Sequence, residues 1–266
     1  MLVLQNISKT FNPGTIKEKK ALDGLNLHLR PGDFVTVIGG NGAGKSTMLN
    51  AVAGVWPVDE GRIILDGEDI TALPEHKRAH LIGRVFQDPM MGTAPNMQLE
   101  ENLALAARRG QKRGLKWGVT NAEREEYHER LKILGLGLED RMTSKVGLLS
   151  GGQRQAVTLL MAVLRKPKLL LLDEHTAALD PGTAAKVLEL SDKIVQENNL
   201  TTLMITHNMK DAIRHGNRLI MMNEGHIILD IEGEEKKKLT KQQLIDMFAQ
   251  KGASIDSDEA LLTKGG

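Results

Sequence analysis

The sequence predicts an α/β fold with a helical stretch set into it. Apolar strand-like runs alternate with helical periodicity along the chain and are punctuated by Gly and Pro. The apolar run at residues 34–38 leads directly into a glycine-rich loop and then a helical pattern. From residue 88 to about 165 only helical patterns appear. The composition fits this: of 266 residues, 41% are hydrophobic and 26% charged, which excludes a disordered, collagen-like or coiled-coil chain.

The elements follow in order. Residues 3–8 read as a strand, and Asn12-Pro13-Gly14 with the charged residues 17–20 as a solvated loop. Residues 25–29 form a second strand, closed by the turn Arg30-Pro31-Gly32-Asp33. Residues 34–38 are a buried strand and 45–53 a helix; residues 62–65 followed by Asp66-Gly67 look like a hairpin. In the helical stretch, Leu99, Leu103 and Ala106 share one face, and Tyr127, Leu131 and Leu134 another. Thr120 and Glu123 have the spacing of a capping box. Strand signals return at 169–172, 202–206 and 218–222. Pro181 opens a helix that runs to about Asn198 and turns Val187, Leu188, Ile194 and Val195 to the core. After Ile231 the chain is polar and then weakly helical, and residues 254–266 are expected to be loose.

Composition also narrows the chemistry. With no cysteine, disulfides, cysteine-ligated zinc, thiol catalysis and iron–sulfur clusters are excluded, and a reducing compartment fits. Lys and Arg number 35 against 34 Asp and Glu, so the net charge of +1 argues against nucleic acid as the main partner. Aromatics at 3% are too few for base-stacking platforms. The most apolar short run, at 169–172, is far below the roughly 20 residues of a membrane span. The first residues lack a basic region followed by a long apolar run, so the chain is expected to stay in the cytoplasm.

Residues 39–46, Gly-Gly-Asn-Gly-Ala-Gly-Lys-Ser, match G-x-x-x-x-G-K-[ST] between a strand and a helix. Gly39, Gly42 and Gly44 let backbone N–H groups around Asn41 turn towards phosphate oxygens, and the helix start adds its positive end. Lys45 reaches the β- and γ-phosphates, with Ser46 and Thr47 following; the Ser46 hydroxyl suits Mg²⁺. Residues 169–174 are four leucines and two acids, a buried parallel strand with carboxylates at its C-terminal end. Asp173 is placed to serve the Mg²⁺ shell and Glu174 to polarise an attacking water.

Leu149-Ser150-Gly151-Gly152-Gln153 resembles the signature of the ATP-binding cassette family. Here the Ser150 hydroxyl and the Gly151 and Gly152 N–H groups would form a second anion site. The family's other motifs follow its order. Gln87 matches the glutamine loop, Asp180 in Ala178-Leu179-Asp180 the D-loop, and His207 the switch histidine. Phe11 matches the adenine-stacking aromatic; the alternative is a packing residue at a strand end.

The resemblance covers about residues 1–231 and leaves 232–266 as a C-terminal tail. It implies a P-loop NTPase with a RecA-like core, an antiparallel β subdomain and an α-helical subdomain inserted at about 88–165. The implied ligands are ATP and Mg²⁺, the metal held through Ser46, Gln87 and Asp173. Glu174, His207, Lys45 and Gln87 would carry hydrolysis. The implied partners are a second copy meeting head to tail, separate transmembrane permease subunits and an extracytoplasmic substrate-binding protein, with no nucleic acid. The chain would lie on the cytoplasmic face of the membrane. Met90, Met91 and Met97, in the stretch 87–101, suit either an adaptable docking contact or plain core packing.

One departure stands out. His175-Thr176-Ala177 replaces the family's frequent Pro-Thr-Ser, and His175 is open to two readings, a passenger that packs at the dimer seam or, less favoured because Glu174 and His207 already fill the roles, a part in catalysis. The overall pattern is similar to amino-acid importer ATPases, on residues 153–156, 174–178 and the long insertion with Gly110 to Gly118. An exporter or lipid-extruding ATPase would share every motif. A soluble cassette protein of ribosomes or DNA fits less well, because this chain has one copy of each motif and no heptad arm.

Overall fold

The computed structural model describes residues 1–111 and 118–250. The interior of the Gly110 to Gly118 insertion and the tail at 254–266 lie outside these residues. Along the chain come β1 (Leu2–Phe11), β2 (Lys19–Leu29), β3 (Phe34–Ile38), α1 (Lys45–Ala53), β4 (Glu60–Leu65), β5 (Glu68–Asp69) and α2 (Glu75–Arg78). Next are β6 (Ile82–Val85), α3 (Leu99–Ala107), α4 (Asn121–Lys132), α5 (Gly151–Val163), β7 (Leu169–Asp173) and α6 (Pro181–Asn198). The chain continues with β8 (Thr201–Ile205), α7 (Met209–Arg214), β9 (Arg218–Asn223), β10 (His226–Glu232), α8 (Gly233–Lys238) and α9 (Lys241–Gln250). It divides into two compact units, Met1–Arg78 with Asn199–Gly266, and Ala79–Asn198.

The first unit is built on strands. One antiparallel sheet has the order β2-β1-β4-β5. In the second, β3 lies between β8 and β9, parallel to both, and β10 pairs antiparallel with β9. All five residues of β3 are buried, as expected of a strand covered on both faces. Its one polar side chain, Thr36, donates its hydroxyl to Ala212 O at 2.9 Å and so enters the core satisfied. Leu239, Leu244 and Phe248 of the last two helices and their connection are buried with Met209, Leu219 and Met221. The end of the described chain is therefore part of this core.

Two local expectations change here. Lys19 and Lys20 are strand rather than loop, because Phe11 pairs with Lys19 and Thr10 with Lys20 in the β1–β2 ladder. Their exposed charges hid a segment whose order comes from the partner strand. β10 is a strand that the sequence pattern did not mark, since its apolar residues run together at 227–229 and do not alternate cleanly.

The second unit pairs β6 with β7 in parallel and carries α3 to α6. Leu99, Leu103 and Ala106 of α3 are buried, as are Tyr127, Leu131 and Leu134 in and after α4. The Thr120–Glu123 capping box is present in both directions. β6 also escaped the sequence reading, because its pattern is broken by Gly83. A Cβ there would lie 2.6 Å from Ala162 O, so the glycine lets α5 approach the strand.

Candidate functional site

In the first unit, the glycine-rich loop joins β3 to α1. Gly44 caps α1 in a left-handed conformation, φ 99°, and offers no side-chain hydrogen bond. A Cβ on Gly44 would fall 2.5 Å from Ala21 O, so only glycine lets the loop lie this close to β2. The first N–H groups of α1 thus have no side-chain cap. Lys45 is buried, and its ammonium donates to Gly39 O at 2.6 Å and Gly40 O at 2.9 Å inside the loop. Ser46 is exposed and Thr47 half-buried.

The other end of α1 is closed by Arg78, which sequence reasoning missed. Its buried guanidinium donates to Ala51 O at 2.7 Å and Val52 O at 2.8 Å, placing a cation on the helix's C-terminal carbonyls. Burial pushes the Arg78 pKa down from its ordinary value.

His207 follows β8. Val37 of β3 is level with Ile205 of β8, so the phosphate loop and His207 leave neighbouring strands at the same end. Thr206 N donates to Val37 O at 3.1 Å, and Asn208 caps α7, which fixes the backbone on both sides of His207.

Phe11 ends β1. Trp56 meets it edge-on, with ring centroids 4.9 Å apart, and the Lys9 ammonium stands 5.8 Å from the Phe11 centroid. Trp56 was not singled out in the sequence, because nothing local links it to Phe11 across 45 residues.

In the second unit, Val85 of β6 is level with Leu172 of β7. Exposed Gln87 and half-buried Asp173 and Glu174 therefore emerge together beyond the C-terminal ends of two parallel strands. Asp173 Oδ2 accepts from Arg84 Nη2 at 3.1 Å, and the Arg84 guanidinium lies 4.6 Å from the Phe86 ring centre. Glu174 has φ 45°, a left-handed conformation uncommon outside glycine, and this is where strain accumulates at functional positions.

Ser150 is the N-cap of α5. Its hydroxyl accepts from Gln153 N at 3.3 Å, and Gln153 Oε1 accepts from Ser150 N at 3.1 Å. Gly152 packs against α6, where a Cβ would come 2.2 Å from Thr183 Cγ2. Gly151 at the exposed start of the helix has more room, with Leu179 Cδ2 at 3.2 Å from such a Cβ. Asp180 accepts from Thr183 N at 3.0 Å at the start of α6, and the hydrogen bonds from Thr183 hold its carboxyl below the usual range.

His175 does not stand at an open surface. It is buried, with Nε2 3.0 Å from Ser191 Oγ on α6. The Ser191 hydroxyl donates to Val187 O at 2.8 Å, which leaves His175 Nε2–H as the donor to Ser191. This bond fastens the loop after Glu174 inside the unit, so the expectation of packing at a dimer seam fails. Met90 and Met91 are exposed and Met97 half-buried, which removes core packing as the role of the first two.

The donor chemistry fits both implied ligands. The loop between β3 and α1 is a cradle that side chains at Gly39 or Gly44 would fill: a Cβ on Gly39 would lie 2.2 Å from Met222 O. The Ser46 hydroxyl, Gln87 amide and Asp173 carboxylate are hard oxygen donors of the kind Mg²⁺ takes. Ser46 belongs to the first unit and Gln87 and Asp173 to the second.

Residues 22–177 match the ABC transporter family. A tyrosine transport ATP-binding protein of Clostridioides difficile is 45% identical over 248 residues, covering 93% of this chain and 98% of that protein. A methionine import ATP-binding protein of Corynebacterium diphtheriae is 34% identical, covering 98% of this chain and 76% of the relative. Among solved structures, a dimeric ATP-binding cassette in a post-hydrolysis state with ADP and Pi is 31% identical. It matches with a TM-score of 0.74 over 87% of this chain and 98% of that one.

Proposed function

This chain belongs to the ABC transporter family and is an ATPase of that family, and from that premise we propose that it powers amino-acid import through separate membrane subunits. Two copies would meet head to tail and enclose two ATP molecules. The carrying observation is the uncapped start of α1 with Lys45 folded into the loop before it, a cationic cradle shaped for a polyphosphate.

On binding, the Lys45 ammonium exchanges the Gly39 and Gly40 carbonyls for β- and γ-phosphate oxygens. Phe11, braced by Trp56, offers its ring to the adenine. Ser150 and the N–H groups of Gly151 and Gly152 in the opposing copy close on the γ-phosphate, with Gln153 and Asp180 beside them. Glu174 orients the attacking water and accepts its proton, while His207 holds the γ-phosphate in line. Ser46, Gln87 and Asp173 would hold Mg²⁺, which would supply charge neutralisation at the phosphate oxygens. Asp173 is freed for this when Arg84 releases it. Loss of the γ-phosphate removes the contacts of Gln87, His207 and the opposing signature, and the copies separate.

Docking on permease subunits would use the exposed methionines Met90 and Met91 just beyond Gln87, so that the glutamine loop feels both ATP and the membrane partner. No helix among the described residues is long and apolar enough to cross a membrane, so translocation falls to those partners. A peripheral position on the cytoplasmic face and service by an extracytoplasmic binding protein complete the proposal. The tyrosine transport and methionine import relatives favour amino-acid cargo and import over export.

The test is Glu174→Gln. Turnover should fall by about a hundredfold or more, while ATP is still bound and the protein sediments as a dimer with ATP. A variant that stays monomeric with ATP would overturn the sandwich. Uptake of labelled tyrosine and methionine by cells lacking this chain tests the cargo.

A further inference from the structure

The phosphate loop has a second ammonium on its rim. Lys19 begins β2 and pairs with Phe11 of β1, so its backbone is held by a ladder rather than by the solvated turn beside it. The same stretch of β2 walls the loop, since a Cβ on Gly44 would meet Ala21 O at 2.5 Å and Leu22 Cδ2 at 3.2 Å. Lys19 Nζ lies 2.7 Å from the position a Cβ would take on Gly42. Its neighbour Lys20 is neutralised by Asp23, which also faces His226. Among the described residues the Lys19 side chain has no hydrogen-bond or ion-pair partner. An exposed cation against a phosphate cradle, with no carboxylate to neutralise it, is free to meet an anion there.

We propose that Lys19 is a second phosphate-binding cation of this ATPase, contacting the polyphosphate chain from the outer rim of the loop at Gly42. This rests on the reading of residues 39–47 as the nucleotide cradle. Lys45 serves the phosphates from inside the loop. Lys19 serves them from the side of Phe11, so one β1–β2 rung presents the base platform and a phosphate cation together. The expected selectivity is for nucleoside di- and triphosphates over the nucleoside, because the added contact is to charge and not to the ring. Its strength should fall with salt, since the side chain is exposed.

The experiment is equilibrium binding of ADP, ATP and adenosine to the full chain and to Lys19→Met, Lys19→Arg and Lys45→Ala, at low and high salt. Lys19→Met should raise the Kd for ADP and ATP by about tenfold at low salt. It should leave adenosine unchanged and flatten the salt dependence, and Lys19→Arg should restore most of the affinity. The melting temperature of Lys19→Met should match the parent, because its ammonium has no internal partner. Unchanged ADP affinity in Lys19→Met, with binding lost in Lys45→Ala, would overturn this inference alone. Equal weakening of ADP and adenosine would also overturn it, by assigning Lys19 to strand structure. Normal ADP binding by Lys45→Ala would instead remove the cradle reading beneath it.

Discussion

The two helices that would face a triphosphate begin in opposite ways. α1, in the first unit, starts at a left-handed glycine with no side-chain cap. α5, in the second, starts at Ser150 with a full capping box to Gln153. A helix start without a side-chain cap keeps its partial positive charge open to a ligand, while a buried cation, Arg78, already balances the far end of α1. On the proposed reading, α1 is the helix start at which an anion would take the place of a side-chain cap. α5 is complete by itself, and its signature serine must loosen or share a bond it already has. Capping bonds of this type are worth about 1 kcal/mol, so in the proposed sandwich engagement at α5 would be the weaker and more readily reversed of the two. That suits a contact made and broken in every cycle.

The comparison can be broken most sharply at α1. Lys45→Ala should reduce ATP turnover by about a hundredfold or more, because on the proposed reading it removes the cation that meets the β- and γ-phosphates. A variant of normal turnover would place the anion site elsewhere. At α5 the expected damage is structural. Gly152→Ala puts a methyl 2.2 Å from Thr183 Cγ2 and should cost about 1–3 kcal/mol in denaturant unfolding. Thr183→Ser in the same chain removes that methyl and should recover most of the loss. Full stability of Gly152→Ala alone would show that α5 and α6 can separate without cost. Smallest is Ser150→Ala, which should lower stability by about 1 kcal/mol even without nucleotide. An unchanged melting curve would mean that the capping box contributes nothing, and that Ser150 is as uncommitted as the start of α1.

The motifs at 39–46, 149–153 and 173–174 could be read from the sequence because each is local, and the structure sets them at the strand ends and helix starts that their spacing implied. The helix at 181–198 was equally legible, since Pro181 and the apolar spacing of Val187, Leu188, Ile194 and Val195 are local signals, and all four are buried. What escaped depends on distant partners. β6 needs β7 at its side and Gly83 against α5. Trp56 reaches Phe11, and Arg78 reaches the end of α1, only after the chain has folded back. His175 looked like a surface departure from a family pattern, and its bond to Ser191, 16 residues on, makes it an internal fastening.

The sequence by itself determined the local geometry: where the glycine loop joins strand to helix, which carboxylates stand at a strand end, and where the helix after Ser150 starts. These follow from steric and hydrogen-bonding rules that act over a few residues. Only the tertiary structure decided the commitments that reach across elements, His175 to Ser191, Arg78 to the end of α1 and Trp56 to Phe11. Ser150, Asp180 and His175 have internal partners, while the start of α1 has no side-chain cap. The Ser150 and Asp180 caps are bonds between residues three apart, whereas the His175 bond lies across a helix interface, and no spacing along the chain encodes that one.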